Sequence, residues 1–406
     1  MTVVEPAPPF DPADPAVVDD PYAAYAALRE QAPAWRSPAG FWIVPRHADV
    51  VRLLRERRLS SAQPGGEPGA PVGALAEHGR WVMVASDPPD HARRRGAVQP
   101  RFASAAIAAV APAIDHHVAD RLSVLDTAGA GAGAIEVDLV DAVTAHVPVL
   151  TITALLGLPS EDASTIRTWT ADFTDGLEPW GDAAAEARAG AALEAMSAYL
   201  APHLAARSAD PGDDLLSVLA ASADLTPDEK LQNGLLLLNA GLDTSSDLLA
   251  NLLAELATRP DDWARLRSDP DRWVPAAVEE AMRFESPVQF TMRRTVEPVE
   301  LDGVTIPAAE PVLLAVGSAN RDPVAFADPD TFDLARFDRD PKLRQVGFGG
   351  GAHLCLGAPL ARLEAAAVLR AMVRRFSSIS LADDAPWRPR VFFRGRAAVP
   401  VRLTPG

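Results

Sequence analysis

The chain has 406 residues, 48% of them hydrophobic, and its 38 Lys and Arg against 55 Asp and Glu leave a formal charge of −17. This is the composition of a core-forming globular protein, and its negative field opposes binding to phosphate backbones, so nucleic acid is not an expected partner. The most apolar stretch, Gly234 to Leu242, contains Asn239 and runs into Asp243, so no segment reaches the roughly 18 apolar residues of a bilayer span and no membrane partner is expected.

Met1 to Pro9 lacks the basic start, apolar stretch and small-residue cleavage site of an export signal, so a cytoplasmic location is expected, with a short flexible N-terminus to about residue 18. Phe41 to Val44 is short and apolar, as a strand is. Ser60 to Gly73, rich in Pro and Gly, reads as a structureless connection. Asp87 and Pro88 are placed to cap and open a helix that carries His91, Arg93, Arg94 and Arg95, with Arg101 beyond, a positive patch on an acidic chain. Ile107 to Leu125 and Ala184 to Arg207 repeat apolar residues at helical spacing, and the Ala/Gly run Thr127 to Gly133 between them reads as a loop.

The longest predicted helix opens with Thr226 as N-cap, Pro227 in the first turn and Asp228 and Glu229 at the positive dipole end, and runs to about Arg259 before Pro260. It is apolar on nearly every face, which places it inside the fold. Val304 with Ile306, Val312 to Ala315, and Val399, Val401 and Leu403 read as short strands, and Pro359 to Phe376 as a helix. The fold class is therefore mainly α with a small β part. No long polar linker or repeat divides the chain, so a single domain over 1–406 is expected, with monomer as the default state.

Two segments carry the chemistry. Ala240, Gly241, Leu242, Asp243 and Thr244 interrupt the central helix with a glycine that costs about 1 kcal/mol relative to alanine, followed by an acid that must find a partner or a purpose when buried. A kink with a satisfied acid and a functional acid are both open. The second segment surrounds Cys355, the only cysteine, which excludes intrachain disulfides and multi-cysteine metal cages. A glycine-rich loop lets a flat ligand approach, and the helix start just beyond supplies dipole and amides that favour thiolate. An axial iron ligand and a buried structural thiol are the two readings.

The run Phe348 to Gly357 resembles in full the signature F-G-x-G-x-H-x-C-x-G of the cytochrome P-450 superfamily. Ala240 to Thr244 resembles its A-G-x-[D/E]-T, Glu280 with Arg283 its E-x-x-R, and Asn320 to Pro323 followed by Phe332 to Phe337 the segment that supplies a third partner, here Arg336. His91 and Arg95 match the H-x-x-x-R of the bacterial soluble branch, so the resemblance spans essentially the whole chain.

The resemblance implies haem b (iron protoporphyrin IX) held between the central helix and the helix after the cysteine. Cys355 would be the metal ligand, pushing electron density onto iron, with amides of Leu356, Gly357 and Ala358 tempering its charge. His91, Arg95, Arg293 and His353 would hold the propionates, with Arg293 preferred to Arg294 by its distance before Gly303, and Phe348, Gly349, Ala240 and Gly241 would complete the cofactor site. Asp243 and Thr244 would be the catalytic pair that delivers protons, and Glu280, Arg283 and Arg336 a buried ion network. Electrons would come from NAD(P)H through a separate ferredoxin and ferredoxin reductase. Arg93, Arg94 and Arg101 are read either as the face that docks the acidic ferredoxin or as a solvated surface.

For the substrate pocket the resemblance implies Leu236, Val288, Gln289, Phe290, Thr291, Phe392 and Phe393. Asn239 stands where the family is usually aliphatic, so it either offers a hydrogen bond to substrate or is satisfied by backbone or water. Trp81, Trp169, Phe173 and Trp180 fall in the lid and mouth, or in the core, and Ser60 to Gly73 reads as a mobile lid. The expected activity is monooxygenation, by hydroxylation or epoxidation, of an organic small molecule in secondary-metabolite biosynthesis. Oxidative coupling or desaturation of an intermediate, free or carrier-bound, is the alternative, and a haem-binding sensor or ligand-sequestering protein is the non-enzymatic one.

Overall fold

The computed structural model describes residues 10–62, 73–128 and 133–406. Helices dominate, and the strands gather into one five-stranded sheet, one three-stranded sheet and a hairpin. The larger sheet runs in the order Trp35–Arg36, Trp42–Val44, Pro311–Ala315, Phe290–Thr295, Leu59–Ser60, with only Trp42–Val44 and Pro311–Ala315 parallel. The smaller pairs Pro400–Pro405 with both Ile135–Asp138 and Phe376–Leu381. The short apolar runs predicted as strands are strands, and the two central ones are covered on both faces, as continuous apolar runs suit: Ile43, Val312, Leu313 and Leu314 have no exposed surface.

The main core packs the Pro227–Ala240, Asp243–Ala257, Pro270–Phe284 and Ala358–Arg375 helices with the helices before them. Thr226 closes a full capping box with Glu229 at the start of Pro227–Ala240. The predicted continuous helix is, however, two. It stops at Ala240 and restarts at Asp243, and the Thr244 hydroxyl donates to the Ala240 carbonyl at 2.9 Å, taking up an acceptor that the break sets free. The predicted Ile107 to Leu125 helix is likewise interrupted, as Ser104–Ala108 and Ala111–Ala128.

Two further expectations change, and a third is not addressed. Within residues 10–18, expected to be loose, Phe10 is buried against Tyr25 and Phe290, and Pro15–Asp19 is helical under the Asp14 cap. Asp87 does not cap the following helix, which spans Asp90–Val98. Its carboxylate is taken instead by the Ser60 hydroxyl and, at 2.9 Å, by the Ser61 amide. Of the two stretches read as structureless, residues 63–72 and 129–132 lie outside the described residues, so the lid expectation is not addressed there.

Candidate active site

The cysteine loop is shaped by backbone hydrogen bonds and two left-handed glycines. The Gly349 amide closes on the Val346 carbonyl at 2.8 Å and the Cys355 amide on the Phe348 carbonyl at 2.9 Å, so the chain returns on itself around the ring of Phe348. Gly349 and Gly351 have φ of 71° and 65°, and a Cβ on Gly351 would run into the Leu54 carbonyl. The Ala358–Arg375 helix starts directly beyond, with Pro359 in its first turn. Cys355 is solvent-accessible, yet burial pushes its thiol up, against opposing bonds from the Gly357 and Ala358 amides and the charges of Arg95 and Arg362.

Above it lies a set of cations with too few anions. His91 and Arg95 stand one turn apart on Asp90–Val98, and the His91 and His353 rings are 4.1 Å apart between centroids. Arg293 reaches the same place from Phe290–Thr295 and donates to the Met292 carbonyl at 2.7 Å and the Thr291 hydroxyl at 3.0 Å. Burial lowers Arg293 to about 10, and burial together with Arg293 and His91 lowers His353 to about 4. Among the described residues the nearby carboxylate is Asp87, already engaged by Ser60 and Ser61. Alternation along the strand turns Arg294 to the other side. Two guanidiniums and two imidazoles gathered beside one accessible thiol can receive the two carboxylates of a bound ligand.

The central helix breaks between Ala240 and Asp243. Thr244 is held to Ala240 as described, and Asp243 Oδ2 lies 3.4 Å from Arg390 Nη1. Asn239, 5% exposed, accepts from the Thr170 hydroxyl at 3.0 Å, while its Nδ2 has no protein partner.

The model of the family described as Cytochrome P450 matches residues 192–393. Cytochrome P450 107B1 of Saccharopolyspora erythraea is 36% identical, covering 96% of each chain, and the 6-deoxyerythronolide B hydroxylase of the same organism is 36% identical over 95% of this chain and 96% of its own. The crystal structure of P450BioI in complex with a fatty-acyl acyl carrier protein superposes with a TM-score of 0.89 at 28% identity, covering 96% of this chain and 100% of that one. The chain belongs to the cytochrome P450 family. It is a P450 monooxygenase, and its cofactor is haem b.

Behind the cysteine loop, Glu280 and Arg283 have no exposed side-chain surface and pair at 2.6 and 2.9 Å, and Arg336 Nε lies 3.1 Å from Glu280 Oε2. Arg283 spends its remaining donors on the carbonyls of Asn320, Pro329 and Thr331. The three charges are thus fully bonded, which is the condition for ions to sit in a core.

The basic face read from Arg93, Arg94 and Arg101 is not there as expected. Arg94 is buried, with Nε 2.8 Å from Glu229, and Arg93 is bonded to Glu229 at 2.6 and 2.7 Å and to Asp90 at 2.7 Å. Glu229 comes from another helix, which spacing along the segment does not reveal, and Asp90 from one turn back on the same helix. Arg101 is half-buried beyond the helix.

Two predicted pocket residues are also displaced. Gln289 is 1% exposed, accepts from the Tyr25 hydroxyl and donates to the Ser286 carbonyl, and Phe290 is fully buried among Phe10, Tyr25 and Trp180. Neither has surface left for a ligand. Leu236, Val288, Thr291, Phe392 and Phe393 keep part of theirs exposed. Phe173 packs on His78 and Trp169 on Tyr199, as core residues do, and Trp81 bonds Glu77.

The sequence reading took Phe392 and Phe393 of the C-terminal strap 388–394 as pocket residues but missed its arginines. Arg388 bonds Asp247 at 3.1 Å, Arg390 bonds Asp175 and Asp243, and Arg394 bonds Glu285 at 2.7 Å. The signal available was the density of arginines at 388, 390, 394 and 396 in an acidic chain.

Proposed function

We propose that this monooxygenase inserts one oxygen atom of dioxygen into an organic small molecule, by hydroxylation or epoxidation, in the biosynthesis of a secondary metabolite. Electrons come from NAD(P)H through a ferredoxin and its reductase. The observation that carries this reading is an accessible thiol, Cys355, beside the cationic cluster of His91, Arg95, Arg293 and His353, in a chain whose central helix breaks at an acid and an alcohol. Bound haem supplies dioxygen activation at a thiolate-ligated iron. Cys355 is the ligand, and His91, Arg95, Arg293 and His353 receive the two carboxylates. Phe348, Gly349, Ala240 and Gly241 leave room for the ring.

Asp243 and Thr244 move protons toward the reacting oxygen, the hydroxyl of Thr244 turning from the Ala240 carbonyl as it does so. Asn239, with Oδ1 fixed by Thr170, offers Nδ2–H to an oxygen acceptor on the substrate near the carbon oxidised, and that donor is otherwise unpaired. The similarity to 6-deoxyerythronolide B hydroxylase supports a polyketide-like, oxygen-rich substrate. The second reading, oxidative coupling or desaturation of a carrier-bound intermediate, draws on the similarity to P450BioI in complex with a carrier protein. A spin-state screen of macrolactones and acyl carriers, followed by product mass, separates them: a gain of one oxygen supports the first, and a loss of two hydrogens the second.

A further inference from the structure

Arg390 belongs to no motif, yet it stands between two acids on different elements. Its Nη2 and Nε lie 2.6 and 2.7 Å from Asp175 Oδ1, at the end of the Ala163–Asp175 helix, and its Nη1 lies 3.4 Å from Asp243 Oδ2, at the helix break. The next three residues are held from the same side. Glu178 accepts from the amides of Val391 at 3.1 Å, Phe392 at 2.9 Å and Phe393 at 3.1 Å. One turn further along the central helix, Arg388 holds Asp247, whose second oxygen has no partner. A cavity of about 560 Å³, lined in part by Asp175, Glu178, Trp180, Asp243, Ser246 and Arg390, opens onto the cluster.

The Ala163–Asp175 helix also crosses the break, through the bond from Thr170 to Asn239. With its connection to Ala183–Ala209 it forms a cover that both grips the strap and competes for its guanidinium. The distances say which partner is ahead: Asp175 is engaged by two nitrogens, Asp243 by one and at longer range.

We propose that Arg390 is a positioning residue through which seating of this cover and placement of Asp243 are coupled. While Asp175 and Glu178 hold the strap, Arg390 is drawn outward and leaves the Asp243 carboxylate only lightly held. When the cover lifts, Arg390 loses Asp175 and closes on Asp243, which is then tied down. By linkage the effect is reciprocal: whatever removes Asp243 as a partner tightens the cover. The consequence for turnover rests on Asp243 being the acid of the proposed relay; the coupling itself does not.

The test uses the haem-loaded protein without added substrate. Hydrogen exchange of the Val391, Phe392 and Phe393 amides is measured in the wild type, Asp175→Asn and Asp243→Asn. The expected result is opposite signs: exchange several-fold faster in Asp175→Asn and several-fold slower in Asp243→Asn. A purely structural Arg390 loses an ion-pair partner in both variants, so faster exchange in both, or no change in Asp243→Asn, overturns the proposal. The turnover arm, run with a substrate that the spin-state screen has confirmed, measures hydrogen peroxide released per NADPH, driven through a surrogate ferredoxin and reductase. Asp175→Asn should raise that fraction about twofold or more, in the direction of Thr244→Ala. If Thr244→Ala raises it and Asp175→Asn does not, the coupling to Asp243 is wrong. If Thr244→Ala itself changes nothing, the relay reading fails and the exchange signs alone decide the coupling.

Discussion

The Thr244 hydroxyl donates to the Ala240 carbonyl at 2.9 Å across the break in the central helix. One side chain therefore patches the backbone opening and stands beside the acid that follows it. Thr244→Ala removes a single hydrogen bond, worth about 1 kcal/mol, so the variant should fold and bind haem. With a confirmed substrate its NADPH consumption should go mainly to hydrogen peroxide, while Thr244→Ser keeps most of the product. Unchanged coupling in Thr244→Ala would remove Thr244 from the relay.

The Glu280, Arg283 and Arg336 network gives a sharper stability effect. Removing one member leaves an uncompensated charge in a site without solvent, at a cost of about 3–5 kcal/mol. Glu280→Ala should lose most haem incorporation, and its urea midpoint should fall well below that of the wild type. A midpoint within error of wild type contradicts the packing described.

Glu364 makes stability depend on pH. It is 2% exposed, and burial pushes its carboxyl up to about 7, against bonds from Ser245 and Thr151. An acid whose folded value is raised keeps its proton where the unfolded chain has released it, so stability falls as pH rises from about 4.5 to about 7 and is flat above. The shift corresponds to about 3 kcal/mol. Denaturant titrations at pH 5 and pH 8 should show the wild type weaker at pH 8, and Glu364→Gln should lose that share of the difference.

Arg94 and Glu229 bear on the docking face. Because Glu229 and Asp90 together neutralise Arg93 and Arg94, Arg94→Gln should lower the melting temperature by several degrees and leave the salt dependence of ferredoxin electron transfer unchanged. A weakened salt dependence in a fully folded variant would return Arg94 to the partner surface.

The Thr226 cap and the motif residues were legible because their reasons are local, whereas Asp87, predicted as a cap, is claimed by Ser60 and Ser61. The Thr226 capping box, the positive φ of Gly349 and Gly351 and the one-turn spacing of His91 and Arg95 each follow from a few neighbouring residues. The break at Gly241 was visible as a propensity cost but not as a full interruption, since that depends on the Thr244 hydroxyl taking the freed carbonyl. What sequence concealed was long-range. Glu229 lies 135 residues from Arg94 and Asp243 lies 147 from Arg390, and Gln289 looked like a pocket residue until Tyr25, 264 positions away, claimed its side chain.

The central claim is thiolate ligation by Cys355, and the most direct measurement is the absorption spectrum of the dithionite-reduced protein under carbon monoxide, with Cys355→Ser beside it. The expected result is a strongly red-shifted Soret band in the wild type that is lost in the variant. A histidine-type spectrum in the wild type, or a red-shifted band that survives the substitution, would contradict the account.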